Sequence, residues 1–150
     1  MKNIMTITAR DSDTVNRLLD IWESAVRATH LFLTERDFES LIPEVKQAIL
    51  SITHLYCFCD ENGTKKGFIG IEDNKIEMLF VHASARGKGI GKKLINYVVQ
   101  NLDAKYVDVN EQNIQGVGFY NYLGCKVIGR SEFDEQGRPF PILHFKINRP

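Results

Sequence analysis

Between Leu79 and Leu94 the chain passes from an apolar, strand-like run through a glycine-rich segment, Arg86-Gly87-Lys88-Gly89-Ile90-Gly91-Lys92, into a stretch with helical periodicity. A turn of this kind aims several backbone amides without intrahelical acceptors, and the positive end of the helix dipole, at one point. Such a point binds anions. Gly87, Gly89 and Gly91 let the backbone approach an oxygen-rich group, and Arg86, Lys88 and Lys92 add positive charge, so the expected ligand is a phosphate or pyrophosphate. Two common phosphate loops do not fit. A Walker loop needs glycine where Arg86 stands and serine or threonine where Lys93 stands. A dinucleotide fingerprint needs its third glycine one residue later and a parallel strand, not hairpins, before it. The remaining structural reading is a strand-to-helix turn with no ligand.

The surrounding periodicity places this turn in an α/β domain. Asn3 to Thr8 reads as a short strand. Asp11, Ser12 and Asp13 can cap a helix whose apolar positions Val15, Leu18, Leu19, Trp22, Ala25 and Val26 recur at three and four. Thr34 with Asp37 resembles a capping box for a second stripe through Phe38, Leu41, Val45 and Ile49. Pro43 interrupts that stripe, which predicts a kink or two short helices. Leu55 to Asp60, Lys66 to Ile71 and Lys75 to His82 then read as three antiparallel strands joined at Asn62-Gly63 and Asp73-Asn74. After the glycine turn come a helix through Ile90, Leu94, Ile95, Val98 and Val99, and a strand from Lys105 to Val109. Asn113 caps a last helix ending near Gly124, and a hairpin turning at Asp134 to Gly137 joins Lys126 to Phe133 with Phe140 to Ile147. Gly116 and Gly118 each cost that last helix about 1 kcal/mol, so its existence must depend on packing. The order is βααβββαβαββ around one central sheet, a single domain over residues 1–150.

Composition narrows the partners. Nineteen basic and nineteen acidic residues cancel, so no net field favours nucleic acid or an anionic membrane. No apolar run approaches the roughly 18 residues of a membrane-spanning helix, and Met1 to Arg10 lacks a signal-peptide core. A cytoplasmic location is expected. Cys57, Cys59 and Cys125 are odd in number and lack a disulfide spacing, so reduced thiols are expected. On a strand, Cys57 and Cys59 share one face. With His54 they leave a zinc set incomplete, and no metal is expected.

The segment from Arg86 to Gly91 resembles the Arg/Gln-x-x-Gly-x-Gly/Ala motif of the GNAT superfamily of N-acetyltransferases, matching at every defined position. The resemblance extends upstream to Glu77–Val81 and downstream to Asn110-Glu111-Gln112-Asn113 and Phe119-Tyr120-Asn121-Tyr122-Leu123-Gly124-Cys125, where Cys125 replaces a common aromatic. It implies a mixed, mostly antiparallel sheet flanked by helices, and acetyl-coenzyme A as donor. The amides of Gly87, Lys88, Gly89, Ile90, Gly91 and Lys92 would hold the pyrophosphate, with Arg86 a phosphate ligand or a solvated cation. Leu79, Phe80 and Val81 would pair with the pantetheine arm, and Asn113 would contact it, cap its helix, or both.

The thioester is already activated, so the chemical difficulty lies with the amine. A lysine-like amine with pKa about 10.4 is neutral in roughly one molecule per few thousand at pH 7, and a proton must go somewhere. By resemblance, Glu77 occupies the strand position of a carboxylate base and Asp108 is the second candidate; either carboxylate can instead orient water or a substrate ammonium. Tyr120 matches the family tyrosine beside the coenzyme sulfur, where a phenol can protonate the departing thiolate. The first two helices and the last hairpin would supply the acceptor pocket, with His30, Phe32 and Asp108 as candidate contacts and Phe133, Asp134, Arg138 and Phe140 on the hairpin. A packed structural histidine is the competing reading of His30. The expected activity is transfer of acetyl from acetyl-coenzyme A to a primary amine of a small molecule or protein by direct attack, in a monomer or homodimer. The alternative is an acyl-coenzyme A sensing module without turnover.

Overall fold

Apolar residues at consecutive positions mark strands covered on both sides, and β2 (His54–Cys59) and β3 (Lys65–Glu72) are of this kind. The computed structural model describes residues 3–148. Tyr56, Phe58, Ile69 and Ile71 enter one core, and Leu55, Cys57, Cys59 and Phe68 enter another on the opposite face. The alternation is the period-two geometry of a strand, with both faces apolar instead of one.

The element order agrees with the sequence reading: β1 (Ile4–Thr6), α1 (Ser12–Thr29), α2 (Glu35–Ser51), β2, β3, β4 (Lys75–Val81), α3 (Ile90–Leu102), β5 (Tyr106–Asn110), α4 (Ile114–Tyr122), β6 (Lys126–Ser131) and β7 (Ile142–Lys146). A single 3₁₀ turn, Ala83–Ala85, precedes α3. The seven strands run β1-β2-β3-β4-β5-β7-β6, with β4 and β5 parallel and every other neighbouring pair antiparallel. Helices α1 and α2 cover one face, while α3 and α4 cover the other. The first and last two residues of the expected 1–150 domain lie outside the described residues.

Local signals set most boundaries. Asp11 caps α1 by accepting from the Thr14 amide, and the Thr34–Asp37 box forms in both directions with aspartate in the glutamate position. Trp22 stacks on Phe38 with ring centres 4.8 Å apart, and Arg27 lies over Phe38 while pairing with Glu35, which fastens α1 to α2. Ile21, absent from the stripe read in the sequence, is fully buried beside Trp22. Gly67 brings α3 close to the sheet: a Cβ there would lie 3.0 Å from Ile90 Cγ2, at the first residue of α3. Gly116 is needed against Asn113 and Val109, where a Cβ would lie 2.5 Å from Asn113 Nδ2, whereas Gly118 faces open space.

Of the two outcomes expected at Pro43, division into two short helices does not occur: α2 continues from Glu35 to Ser51. Proline deprives the Glu39 carbonyl of its helical donor, and both residues are exposed, so water can take that donor's place and the helix persists. The unspent stability is recoverable. Pro43→Ala restores the bond without touching the core, and should raise stability by about 1–2 kcal/mol, or about 3–8 °C in melting temperature. Calorimetry of the two proteins checks this; an unchanged or lower melting temperature would mean that Pro43 carries no strain.

Candidate active site

The parallel pair β4–β5 is held by two register partners, Lys75 with Tyr106 and Ile76 with Val107, and by no further pairs. Beyond them the strands part. The cause is local on β4: Gly70 pairs with Met78 and Ile71 with Ile76, so Glu77 is an extra, bulged residue without a partner. β4 stays paired to β3 as far as Val81, and β5 turns its other edge to β7 from Tyr106 to Asn110. A cavity of about 440 Å³ opens between them, within the range of ordinary ligand sites.

Most of the residues singled out in the sequence meet here. Glu77, Leu79, Phe80 and Val81 line it from β4, Asp108 from β5, and Asn113 and Tyr120 from α4 and its cap. Arg86, Gly87, Gly89, Ile90, Gly91 and Lys92 form its floor at the start of α3, and His30 closes it at the end of α1. Two do not reach it. Lys88 lines a neighbouring groove with Lys66 and Lys93. Phe32 packs behind His30 at 5.4 Å between ring centres and against Phe140 at 5.8 Å. Of the hairpin candidates, Asp134 and Glu44 engage Arg138, tying the hairpin to α2, and Phe133 is exposed.

The loop is built as an anion cradle. Gly87 and Gly89 both sit at φ +77°, with nothing within 4 Å of where a Cβ would be, and Gly89 is the N-cap of α3 without any side-chain capping bond. The first amides of α3 therefore point outward without side-chain acceptors. Gly91 differs from the expectation of ligand approach: a Cβ there would lie 3.3 Å from Phe119 Cζ, so its smallness also seats α4 against α3. The Asn113 side chain accepts from the Gly116 amide, confirming its cap. Together with the unpaired cavity edge of β4, this arrangement fits a long donor carrying a pyrophosphate and secondary amides.

The titratable groups are sorted by environment. Burial raises the Glu77 carboxyl above the usual carboxylate range against the opposing pull of Lys75, whose Nζ is 3.8 Å away. Burial would raise Asp108 too, but hydrogen bonds from Lys75 at 2.6 Å and His144 at 2.6 Å outweigh it and hold Asp108 below that range. Both Asp108 oxygens are thereby engaged, which leaves Glu77 the more basic of the two. Tyr120 is 6% exposed, and burial, with a smaller contribution from Cys125, raises its phenol far above the ordinary value, so it stays protonated. Among the described residues no buried polar side-chain atom lacks a partner, and the Tyr120 hydroxyl has no protein partner, so the hydroxyl opens on the cavity. Cys57 and Cys59 do share a face, with sulfurs 3.8 Å apart, and burial pushes the Cys57 thiol up to about 12. All three cysteines are free. Among the described residues no group of three histidine, cysteine or acidic side chains is disposed to hold a metal, and no helix is long and apolar enough to cross a membrane.

Sequence reasoning missed Lys75 and His144. Neither belongs to the motif, and their joint contact with Asp108 exists only because strand register brings together positions 33 and 36 residues apart in the chain.

A parted parallel pair beside an uncapped, glycine-rich helix start forms a cleft for an extended, anionic ligand, and the chain belongs to the GNAT family of acetyltransferases: residues 24–142 match its acetyltransferase (GNAT) domain. It is similar to the peptidyl-lysine N-acetyltransferase YjaB of Salmonella typhimurium, at 35% identity over 85% of this chain and 88% of that one. The solution structure of apo-form YjaB from Escherichia coli superposes with a TM-score of 0.87 at 31% identity, covering 98% of this chain and 99% of that one. The fold is shared with a PaiA N-acetyltransferase from Thermoplasma acidophilum in complex with coenzyme A, with a TM-score of 0.68 at 21% identity over 95% and 98% of the two chains. The chain is an enzyme that transfers acetyl from acetyl-coenzyme A to an amine.

His30 provides a test of the site's interior. Burial pushes its imidazole down to about 4, while Thr29 Oγ1 lies 2.8 Å from Nδ1, so the ring is neutral at pH 7. A depressed histidine contributes stability above its unfolded pKa of about 6.5, and that contribution is lost as pH falls from there toward the folded value. Between pH 7 and pH 5 the loss should be about 2 kcal/mol. Chemical denaturation at both pH values should show that dependence in the wild type and a flatter one in His30→Gln; equal dependence in both would place the ring in solvent.

Proposed function

We propose that the acceptor is a lysine side chain of a peptide or protein, that Glu77 accepts the amine proton, and that Tyr120 donates a proton to the coenzyme sulfur. The observation that carries this reading is one cavity lined by both a carboxylate raised by burial and a buried phenol whose hydroxyl has no protein partner. The relatives named for peptidyl-lysine acetylation support the acceptor class. Leu79, Phe80 and Val81 present the unpaired edge of β4 to the pantetheine amides. The amides from Gly87 to Lys92 take the pyrophosphate, with Arg86 and Lys92 contributing charge from the cavity wall and Lys88 from the adjoining groove. Asn113, at the head of α4, reaches the same arm with its amide nitrogen. His30, backed by Phe32, forms the acceptor side. The whole chain, 1–150, acts as one catalytic unit in the cytoplasm, as a monomer or homodimer.

The roles follow from protonation state. A lysine amine arrives as an ammonium, and only its neutral form attacks the thioester carbonyl. A carboxylate raised toward neutrality is a better proton acceptor than one held down by two donors, which ranks Glu77 above Asp108. At the other end of the reaction the thiolate leaves, and a phenol kept protonated by burial has its O–H in place to donate to the departing sulfur. Acetyl-coenzyme A brings the activated acyl group; the protein orients it, removes one proton and returns another.

Two measurements test the reading. Tyr120→Phe should lower kcat by about 10² to 10⁴ with coenzyme affinity nearly preserved, and Glu77→Gln should flatten the acid limb of kcat/KM. Near-wild-type turnover where chemistry limits the rate would return Tyr120 to the core, and an unaltered limb in Glu77→Gln with a changed one in Asp108→Asn would reverse the ranking. Binding without turnover of any amine would favour an acyl-coenzyme A sensor. Separately, coenzyme A at 100 times its Kd should stabilise the protein by about 2.7 kcal/mol, or about 5–10 °C. Gly89→Val should abolish that shift, because a branched side chain is strained at φ +77° and blocks the cradle.

A further inference from the structure

We propose that Lys75 is a positioning residue for acetyl transfer: shared between Glu77 and Asp108, which His144 holds from behind, its ammonium favours the ionised form of Glu77 that can accept a proton. The inference rests on reading Glu77 as the base, and it assigns a task to three residues outside the glycine motif.

The geometry is a line of contacts across four adjacent strands. Lys75 Nζ lies 2.6 Å from Asp108 Oδ2 and 3.8 Å from Glu77 Oε2, reaching from the last paired stretch of β4 to both strands beyond the point where they part. His144 Nδ1 lies 2.6 Å from Asp108 Oδ1, and the two residues are register partners on β5 and β7. His144 Nε2 lies 2.8 Å from Ser131 Oγ on β6. With Nδ1–H donating to the carboxylate, a neutral ring accepts from the serine hydroxyl at its other nitrogen, so one tautomer satisfies both contacts. Asp108 is thus fixed from behind, and with it the ammonium. The base of β4 is fixed as well, since the Lys105 and Tyr106 amides both donate to the Asn74 carbonyl.

Charge explains what the ammonium does there. Glu77 faces Lys75 on its own strand, Asp108 on β5, Glu72 on β3 and Glu135 on the β6–β7 hairpin, and His144 lies one contact further away behind Asp108. Burial and three like charges favour the neutral acid, and Lys75 is the cation opposing them. Without it Glu77 would hold its proton to higher pH. The pair contributes little as a surface ion bridge, because its members are partly exposed. Its effect is on protonation.

The two ends of the Lys75–Asp108 pair predict shifts of opposite sign. Lys75→Met removes the cation, and the Glu77 titration midpoint should rise by about one pH unit. Asp108→Asn removes a like charge and frees the ammonium for Glu77, so the midpoint should fall. Lys75→Arg keeps the charge and should return the midpoint toward wild type. Carbon-13 carboxyl NMR of the ligand-free protein, with Glu77 assigned through Glu77→Gln, reads these midpoints without turnover, and the acid limb of kcat/KM is measured in parallel. Midpoint and limb moving together, upward in Lys75→Met and downward in Asp108→Asn, support the proposal. Midpoints that move while the limb stays uphold the action of Lys75 on Glu77 and remove Glu77 as base. A midpoint unmoved in Lys75→Met, or in Asp108→Asn if the first variant does not fold, overturns the proposal.

Discussion

A backbone that leaves its partner strand must satisfy its amides elsewhere or face water, and the parting of β4 from β5 after Ile76 and Val107 sets that condition for this molecule. The bulge at Glu77 begins the separation, and pairing of β4 with β3 as far as Val81 keeps the freed edge extended. β5 cannot swing back, because its other edge is committed to β7 along five register pairs. The cavity is the result. The proposed donor contacts on Leu79 to Val81 use the edge that the ladder gives up, so the sheet's defect and the binding surface are one feature.

The same separation sorts the acids. Side chains on the parted strands fall into a half-buried cleft where small differences in partners decide protonation. Asp108 has two close donors, whereas Glu77 has one distant cation and several acidic neighbours. Tyr120, on α4, is packed among Phe119, Phe145 and Cys125 with its hydroxyl opening on the cavity. Three groups with very different proton affinities surround one cavity without any net charge on the chain being needed.

Sequence reading reached the order of elements because each signal was local. Asp11 and Thr34 cap within three residues, and the periods of α1 and α3 lie within one helix. The glycine turn into α3 was legible because its glycines and cations adjoin along the chain. Continuity of α2 through Pro43 was not, since it depends on the exposure of the Glu39 carbonyl, which only the packed helix defines. Nor was the Lys75–Asp108–His144 line, which depends on strand register. Lys88 and Phe32 failed to reach the cavity for a related reason: neighbours in sequence can face different grooves, and an apolar side chain can support a site from behind.

The bare N-terminus of α3 has a consequence for the protein's lifetime in the cell. A serine or aspartate cap commonly adds about 0.5–2 kcal/mol to a helix, and Gly89 supplies no such bond. On the proposed binding mode, an anionic donor seated on these amides takes the place of the missing cap, and by mass action the folded fraction rises with donor concentration. Proteases act on opened chains, so the same binding mode would make resistance to proteolysis depend on the donor.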